Sequence, residues 1–186
     1  MKGIVFNLLE GVIIAQHGEA AWDGVLAAIG SPGAYTSLGN YPDDQIERLV
    51  VASASALKMT PAEAWRWFGR KAMPLLARRY PHFFAEHRKT IPFVLSVNSI
   101  IHPEVRKLYA GAHCPHFRFQ HTADDALRMT YDSPRRLCAL AHGFIEGAAD
   151  HFGETAAVEH LNCMHRGDAE CLLEIRAVKS VSADAA

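Results

Sequence analysis

The chain has 186 residues, a length that fits one domain with a sizeable core. Hydrophobic residues make up 49% and charged residues 21%, which excludes a disordered chain, and a net charge of −1 gives no case for nucleic acid or an anionic membrane as partner. No apolar run reaches roughly 18 residues, so no membrane span is predicted. The opening residues carry one lysine and mix Asn7, Glu10 and Gln16 into the apolar ones, unlike a secretory signal, so the expected location is the cytoplasm. Residues 3 to 15 place Val5, Leu8, Leu9 and Val12 on one helical face. A second helix spans 19 to 29 and stops at Gly30-Ser31-Pro32-Gly33, and residues 30 to 42 read as a loop. Asp43 and Asp44 are placed to cap a helix running to about Lys58. Thr60-Pro61-Ala62-Glu63 is a strong start signal, with an N-cap threonine, proline at the first helical position and glutamate at the third. The helix it opens carries Trp65, Phe68, Ala72, Leu75 and Leu76, with a bend expected at Pro74, and it stops before Tyr80-Pro81.

The spacing predicts a further helix from about Phe93 to Ala110, closed by Gly111. Leu95, Asn98, His102, Val105 and Tyr109 share one side of it, and Pro103 removes one hydrogen bond and marks a kink. Residues 117–120 and 126–131 read as strands joined through Asp124-Asp125, and 135–151 as a helix ended by Gly153. Residues 156–162 and 171–178 are two more strands, with Arg166-Gly167-Asp168 in the turn between them. The predicted class is α+β: an N-terminal helical half, then a four-stranded antiparallel sheet with one long helix inserted. It forms a single domain over residues 1 to 178, and residues 179 to 186 are a small, polar tail expected to be flexible.

The densest polar stretch is Thr130-Tyr131-Asp132-Ser133-Pro134-Arg135-Arg136. In an extended segment, residues two apart point the same way, so Tyr131, Ser133 and Arg135 can converge on one anion. The guanidinium gives a planar fork suited to a carboxylate, and the two hydroxyls can satisfy remaining lone pairs. Alone, the spacing also suits a strand end with a solvated arginine and a capping serine. Eleven histidines compete for any metal-ligand role, and His17, His82 and His87 lie in loops or beside charges. His102 differs in having Ile100 and Ile101 before it and Val105 after it. A histidine on an apolar helix face is more often a satisfied core residue than a ligand.

Four cysteines in a reducing compartment suggest metal or thiol chemistry before disulfides. His160, Cys163 and Cys171 surround the last hairpin, and Cys138 comes from the helix before it. Three thiolates and an imidazole in a closed set suit structural zinc. Four unrelated buried residues, or reversible disulfides, would give the same pattern. His165 is an alternative ligand, and Cys114 lies outside the set.

Tyr131-x-Ser133-x-Arg135 is similar to the haem-propionate motif of the H-NOX family, the haem nitric oxide/oxygen binding domains. The pair His102-Pro103, Pro115 thirteen residues after His102, and the opening Met1-Lys2-Gly3-Ile4-Val5-Phe6 also resemble that family, over roughly residues 1 to 178. The resemblance implies haem b between the two halves, with Nε2 of His102 on the iron and its other ring nitrogen held by a backbone carbonyl or water. It implies that Tyr131, Ser133 and Arg135 hold the propionates and that Pro115 presses on the porphyrin, although Cys114-Pro115-His116 also suits a turn. Oxygen-binding members carry a distal tyrosine nine residues after the motif tyrosine, and this chain has Leu140 there. With Phe144 one turn on and Val5 and Leu9 from the first helix, the expected distal pocket is apolar and offers bound oxygen no donor. Cys138, His160, Cys163 and Cys171 all match a zinc site of some members.

The expected function is therefore a stand-alone, NO-selective haem sensor and not an enzyme, with zinc as a second cofactor. NO, with CO as another gas ligand, would bind trans to His102; NO would weaken or break the iron–His102 bond, and the released helix would move. The signal is expected to pass to a separate protein, in this family typically a histidine kinase or a cyclic-di-GMP enzyme. Two other classes stay open. One is a haem enzyme, such as a peroxidase or NO-consuming oxygenase, which would need a distal acid–base pair. The other is a zinc-stabilised domain that binds small molecules without haem.

Overall fold

The computed structural model describes residues 1 to 179. Its N-terminal half is four helices: α1 (Gly3–His17), α2 (Glu19–Ile29), α3 (Asp43–Leu57) and α4 (Pro61–Arg79). Their apolar faces close on one core that buries Phe6, Leu9, Val12, Leu49 and Phe68. The capping box announced by Thr60 and Glu63 is formed: the Glu63 N–H donates to Thr60 Oγ1 at 3.2 Å, and the Thr60 N–H donates to Glu63 Oε2 at 2.7 Å. Pro74 lies inside α4 without ending it. The start of α3 departs from expectation. Its N-cap is Pro42 with no side-chain cap bond, because the Asp43 carboxylate is turned to Arg135 and to the N-terminal ammonium.

A short turn, α5 (His82–Ala85), that the sequence pattern did not announce leads to the long helix. That helix is composite: α6 (Thr90–Ser96), a π-helical turn over Val97–Ile101, then α7 (His102–Leu108). Pro103 accounts for the π turn. It has no N–H for the carbonyl four residues back, and its ring crowds that carbonyl. The wider turn absorbs the mismatch where a kink was expected.

The C-terminal half is an antiparallel sheet of β1 (His116–His121), β2 (Leu127–Asp132), β3 (Glu154–Asn162) and β4 (Cys171–Lys179), in the order β1-β2-β4-β3. Helix α8 (Cys138–Phe152) is inserted between β2 and β3. This is the predicted α+β architecture. Of the predicted tail, residue 179 belongs to β4, and residues 180 to 186 lie outside the described residues. The predicted start of α8 is three residues early: Arg136 takes φ 51°, in the left-handed region, so the helix begins at Cys138.

Helix α8 lies between the sheet and α4. Its contact with α4 is made through glycine: a Cβ on Gly143 would stand 1.9 Å from the Arg66 carbonyl oxygen, and one on Gly69 would stand 2.5 Å from that of Leu140. Ion pairs flank this contact. Arg66 Nε donates to Glu146 Oε2 at 2.8 Å, and Arg70 Nε donates to Asp150 Oδ2 at 2.6 Å. One face of α8 thus sends Leu140 and Phe144 towards the helical half, and the other sends Cys138, Ala141 and Ile145 into the sheet core. Among the described residues, no helix is long and apolar enough to cross a membrane.

Candidate functional site

The two halves leave an apolar cavity of ≈ 220 Å³. α1 contributes Val5 and Leu8, the composite helix contributes Val94, Val97 and His102, and α8 contributes Leu140 and Phe144. Phe117, Met129 and Tyr131 of the sheet form another wall, and Pro115, Ser133 and Arg135 stand along it.

His102 faces the cavity from the composite helix. Its Nδ1 is buried without a well-formed hydrogen bond among the described residues, and the Pro115 backbone carbonyl acts on the ring to favour its protonated form. Burial, helped by the charge of Arg106, lowers its pKa to about 4. The imidazole is therefore neutral near pH 7 and keeps a lone pair for a metal. Its ring lies 5.7 Å from that of Phe117.

Tyr131, Ser133 and Arg135 do meet along one rim, but strand alternation explains only the first. β2 ends at Asp132, and the turn after it delivers the other two. The Tyr131 hydroxyl accepts from the Leu137 N–H at 3.0 Å and retains a proton to donate. Ser133 Oγ accepts from the Arg135 N–H at 3.3 Å. Arg135 Nε donates to Asp43 Oδ2 at 2.8 Å and its Nη1 to the His113 carbonyl at 2.6 Å, which fixes the guanidinium at the rim. The Arg135 cation and the N-terminal ammonium in turn hold the Asp43 carboxyl below its usual range against the opposing effect of burial.

On the opposite side, Val5, Leu140 and Phe144 line the cavity, and Leu9 does not. Leu9 packs in the helical core, and Leu8, three residues after Val5, takes its place. The polar residues of the lining, His102, His113, Tyr131, Ser133 and Arg135, lie on the composite helix, the segment after it, β2 and the turn after β2; α1 and α8 contribute none. His142 is not in the lining; its Nδ1 is 3.1 Å from His160 Nε2. An apolar slot with a neutral imidazole and a cationic, hydroxyl-bearing rim fits a flat apolar cofactor that carries carboxylates.

The Haem-NO-binding family model matches residues 2–160. The chain belongs to the H-NOX family. Its fold matches the crystal structure of a Shewanella oneidensis H-NOX protein in the Fe(II)NO state at 32% identity and TM-score 0.88, over 96% of this chain and all of that one. An Fe(II) crystal structure of a triple mutant of an S. oneidensis H-NOX protein gives 32% identity and TM-score 0.90 over 98% of each chain. An NMR structure of an H-NOX domain from the same organism in the Fe(II)CO state gives 32% identity and TM-score 0.86 over 97% of this chain and all of that one. No curated protein sequence matches the chain.

In this H-NOX domain the sulfurs of Cys138, Cys163 and Cys171 lie within 4.8 Å of one another, with Cys138 Sγ and Cys163 Sγ 3.8 Å apart. His160 is outside that group, paired with His142, and His165 Nε2 is 2.7 Å from the Arg136 carbonyl oxygen. The Met164 N–H donates to Cys171 Sγ at 3.3 Å, a bond that favours the thiolate. Burial and the neighbouring sulfurs nonetheless push the Cys138 thiol far above its ordinary range, so the group resists ionising without a cation. Cys114 stands apart, half-buried near the Arg135 rim.

Two residues next to the site were missed as site residues. Phe117 has its ring against both His102 and Tyr131. Asn98 binds the Phe117 backbone. The available signal was a carboxamide on the otherwise apolar side of the helix that carries His102.

Proposed function

We propose that this H-NOX domain binds haem b in the cavity between its halves and acts as a sensor of NO, not as an enzyme. The observation that carries the reading is the buried, neutral His102 on an apolar cavity whose rim bears Tyr131, Ser133 and Arg135. Bound haem would supply a ferrous iron able to take NO or CO. His102 would hold that iron through Nε2, and Arg135, oriented by Asp43, would meet a propionate together with the two hydroxyls. Pro115 lines the same cavity, which favours its contact with the porphyrin.

The S. oneidensis relatives carry NO and CO on ferrous iron, which supports both as ligands here. Selectivity for NO over oxygen is supported by the apolar lining at Val5, Leu140 and Phe144. The same lining lacks the distal acid–base pair that a peroxidase or oxygenase needs. Weakening of the His102 bond would free the composite helix, whose Ile100 and Leu108 side chains are half-exposed. A histidine kinase or a cyclic-di-GMP enzyme, in the cytoplasm, is the partner class this reading implies.

Zn²⁺ is the second cofactor of the proposal. The three gathered sulfurs and the N–H bond to Cys171 support three of its ligands. His160 is proposed as the fourth, through a ring rotation or through the nitrogen not paired with His142.

The test is reconstitution with ferrous haem. The wild type should give a haem spectrum that shifts with CO and with NO. His102→Gly should lose the protein-derived ligand, and added imidazole should restore the spectrum. An unchanged ferrous spectrum in His102→Gly would refute the assignment.

A further inference from the structure

The π turn before His102 is tied to the sheet by one side chain. Asn98 lies within that turn, four residues before His102. Its Oδ1 accepts from the Phe117 N–H at 3.2 Å, and its Nδ2 donates to the Phe117 carbonyl. One carboxamide thus takes both polar groups of one backbone residue, as a neighbouring strand would. Phe117 lies on β1, at the edge of the sheet, opposite Tyr131 of β2. Because both of its polar groups turn outward, the Phe117–Tyr131 pair is of the non-hydrogen-bonded kind. Without Asn98, those groups would stand unpaired between helix and sheet.

The ring of the residue so clamped touches both halves of the site. It lies 5.7 Å from the His102 ring and 5.8 Å from the Tyr131 ring. His102 is itself held at φ −64°, ψ −39°, a helical conformation that a following proline disfavours. A π turn carries one residue more than an α turn. Its collapse to α geometry would rotate everything beyond it by about 100°, which would swing His102 out of its place on the cavity wall.

We propose that Asn98 is a positioning residue for His102: its clasp on the Phe117 backbone selects the π register and holds the Phe117 ring against the imidazole. The inference rests on the haem-sensor reading and adds to it the group that sets how firmly His102 can hold the iron. Loss of the clasp lets the turn relax while the fold persists, because the Asn98 side chain itself belongs to neither main core.

The experiment is resonance Raman of the ferrous, haem-loaded full chain, reading the iron–histidine stretch in wild type, Asn98→Ala, Asn98→Asp and the exposed neighbour Ser99→Ala. Asn98→Ala should lower the frequency with the melting temperature nearly unchanged. Asn98→Asp keeps the acceptor for the Phe117 N–H but repels its carbonyl, and should fall between. Ser99→Ala should match wild type. A wild-type frequency in haem-loaded Asn98→Ala overturns the proposal, whereas an iron–histidine stretch that persists in His102→Gly overturns the sensor reading instead. If Asn98→Ala retains no haem, hydrogen exchange of the haem-free chains decides. Faster exchange confined to Phe117 and the π turn supports the clasp, and uniform acceleration across the chain refutes it.

Discussion

Replacing Gly143 with alanine tests whether the spacing of α4 and α8 is set by the absence of one methyl group. The added Cβ would lie 1.9 Å from the Arg66 carbonyl oxygen, against ordinary contact from 3.4 Å, so the helices must part by about 1.5 Å. The obstacle is backbone, not the end of a flexible side chain, so rotamer changes cannot relieve it. Overpacking of this kind costs about 1–3 kcal/mol, and here the upper end applies. Parting the helices also strains the bidentate bond between Arg66 and the buried Glu146. Against this, alanine gains about 1 kcal/mol over glycine as a helix former. The clash and the strained ion pair together win, leaving a net loss of about 2–3 kcal/mol. At about 2–4 °C per kcal/mol for a chain of this size, the melting temperature should fall by about 4–12 °C. Gly24→Ala is the internal control. Nothing lies within 4 Å of a Cβ there, its φ is not positive, and the residue is exposed on α2. It should stabilise by about 0.5–1 kcal/mol. The assay is thermal and urea unfolding of the three proteins under one condition. A Gly143→Ala protein as stable as wild type, with Gly24→Ala behaving as expected, would refute the packing argument.

Arg135→Ala should raise the haem off-rate roughly tenfold to a hundredfold, the equivalent of about 1.5–3 kcal/mol for a charged hydrogen bond, and equal off-rates would count against the propionate role. The reduced wild type in air should form no stable oxygen complex, since the cavity offers no donor at Leu140; a persistent oxy Soret band would overturn that, and Leu140→Tyr should move the protein towards oxygen binding. Elemental analysis should find about one zinc per chain, lost in Cys171→Ser with little change in the haem spectrum, whereas thiols that react fully in the native protein would argue for no metal. Burial and the Arg66 charge hold His142 neutral down to about 4, so as pH falls from about 6.5 the unfolded chain takes up that proton first. In the haem-free protein this stability is complete above about pH 6.5 and is lost towards pH 4, on the order of 1–3 kcal/mol; urea unfolding of His142→Gln with the wild-type pH profile would exclude it.

Element types were readable in the sequence because the two halves keep different periods. Val5, Leu8 and Val12 repeat helically, while the residues of β2 alternate, with Leu127, Met129 and Tyr131 buried. The rim of Tyr131, Ser133 and Arg135 was legible as a set of residue types, but its geometry was not, since Ser133 and Arg135 arrive through a turn that needs Arg136 at positive φ. Asp43 was read as a helix cap because local spacing favours a cap; its contact with Arg135, 92 positions away, is a tertiary event that no local pattern contains. Leu9 and Leu8 differ by one residue on a helix with apolar positions all around, and periodicity alone does not choose between them. Pro103 signalled an irregularity, but whether a helix answers with a kink or a π turn depends on what grips it from outside, here Asn98 and β1.

The two walls of the cavity are held with unequal stiffness, and this bears on where a signal can leave. α8 buries ten of its fifteen residues and is fixed to α4 by glycine contact and by Arg66–Glu146 and Arg70–Asp150 pairs. The π turn and α7 contain no buried residue. Local opening free energy follows buried contact, so α7 is the softer element and α8 the frame. An event that changes the hold on His102 therefore works against little packing on its own side and against a fixed wall on the other. Displacement on the α8 side would have to break the ion pair of Arg66 with the buried Glu146 and move Leu140, Phe144 and Cys138 together, because one helix carries all three. The compliant route runs through the π turn to α7, where Ile100 and Leu108 already face solvent. On this argument the composite helix that carries His102, not the α8 wall, is the part of the molecule that a partner would read.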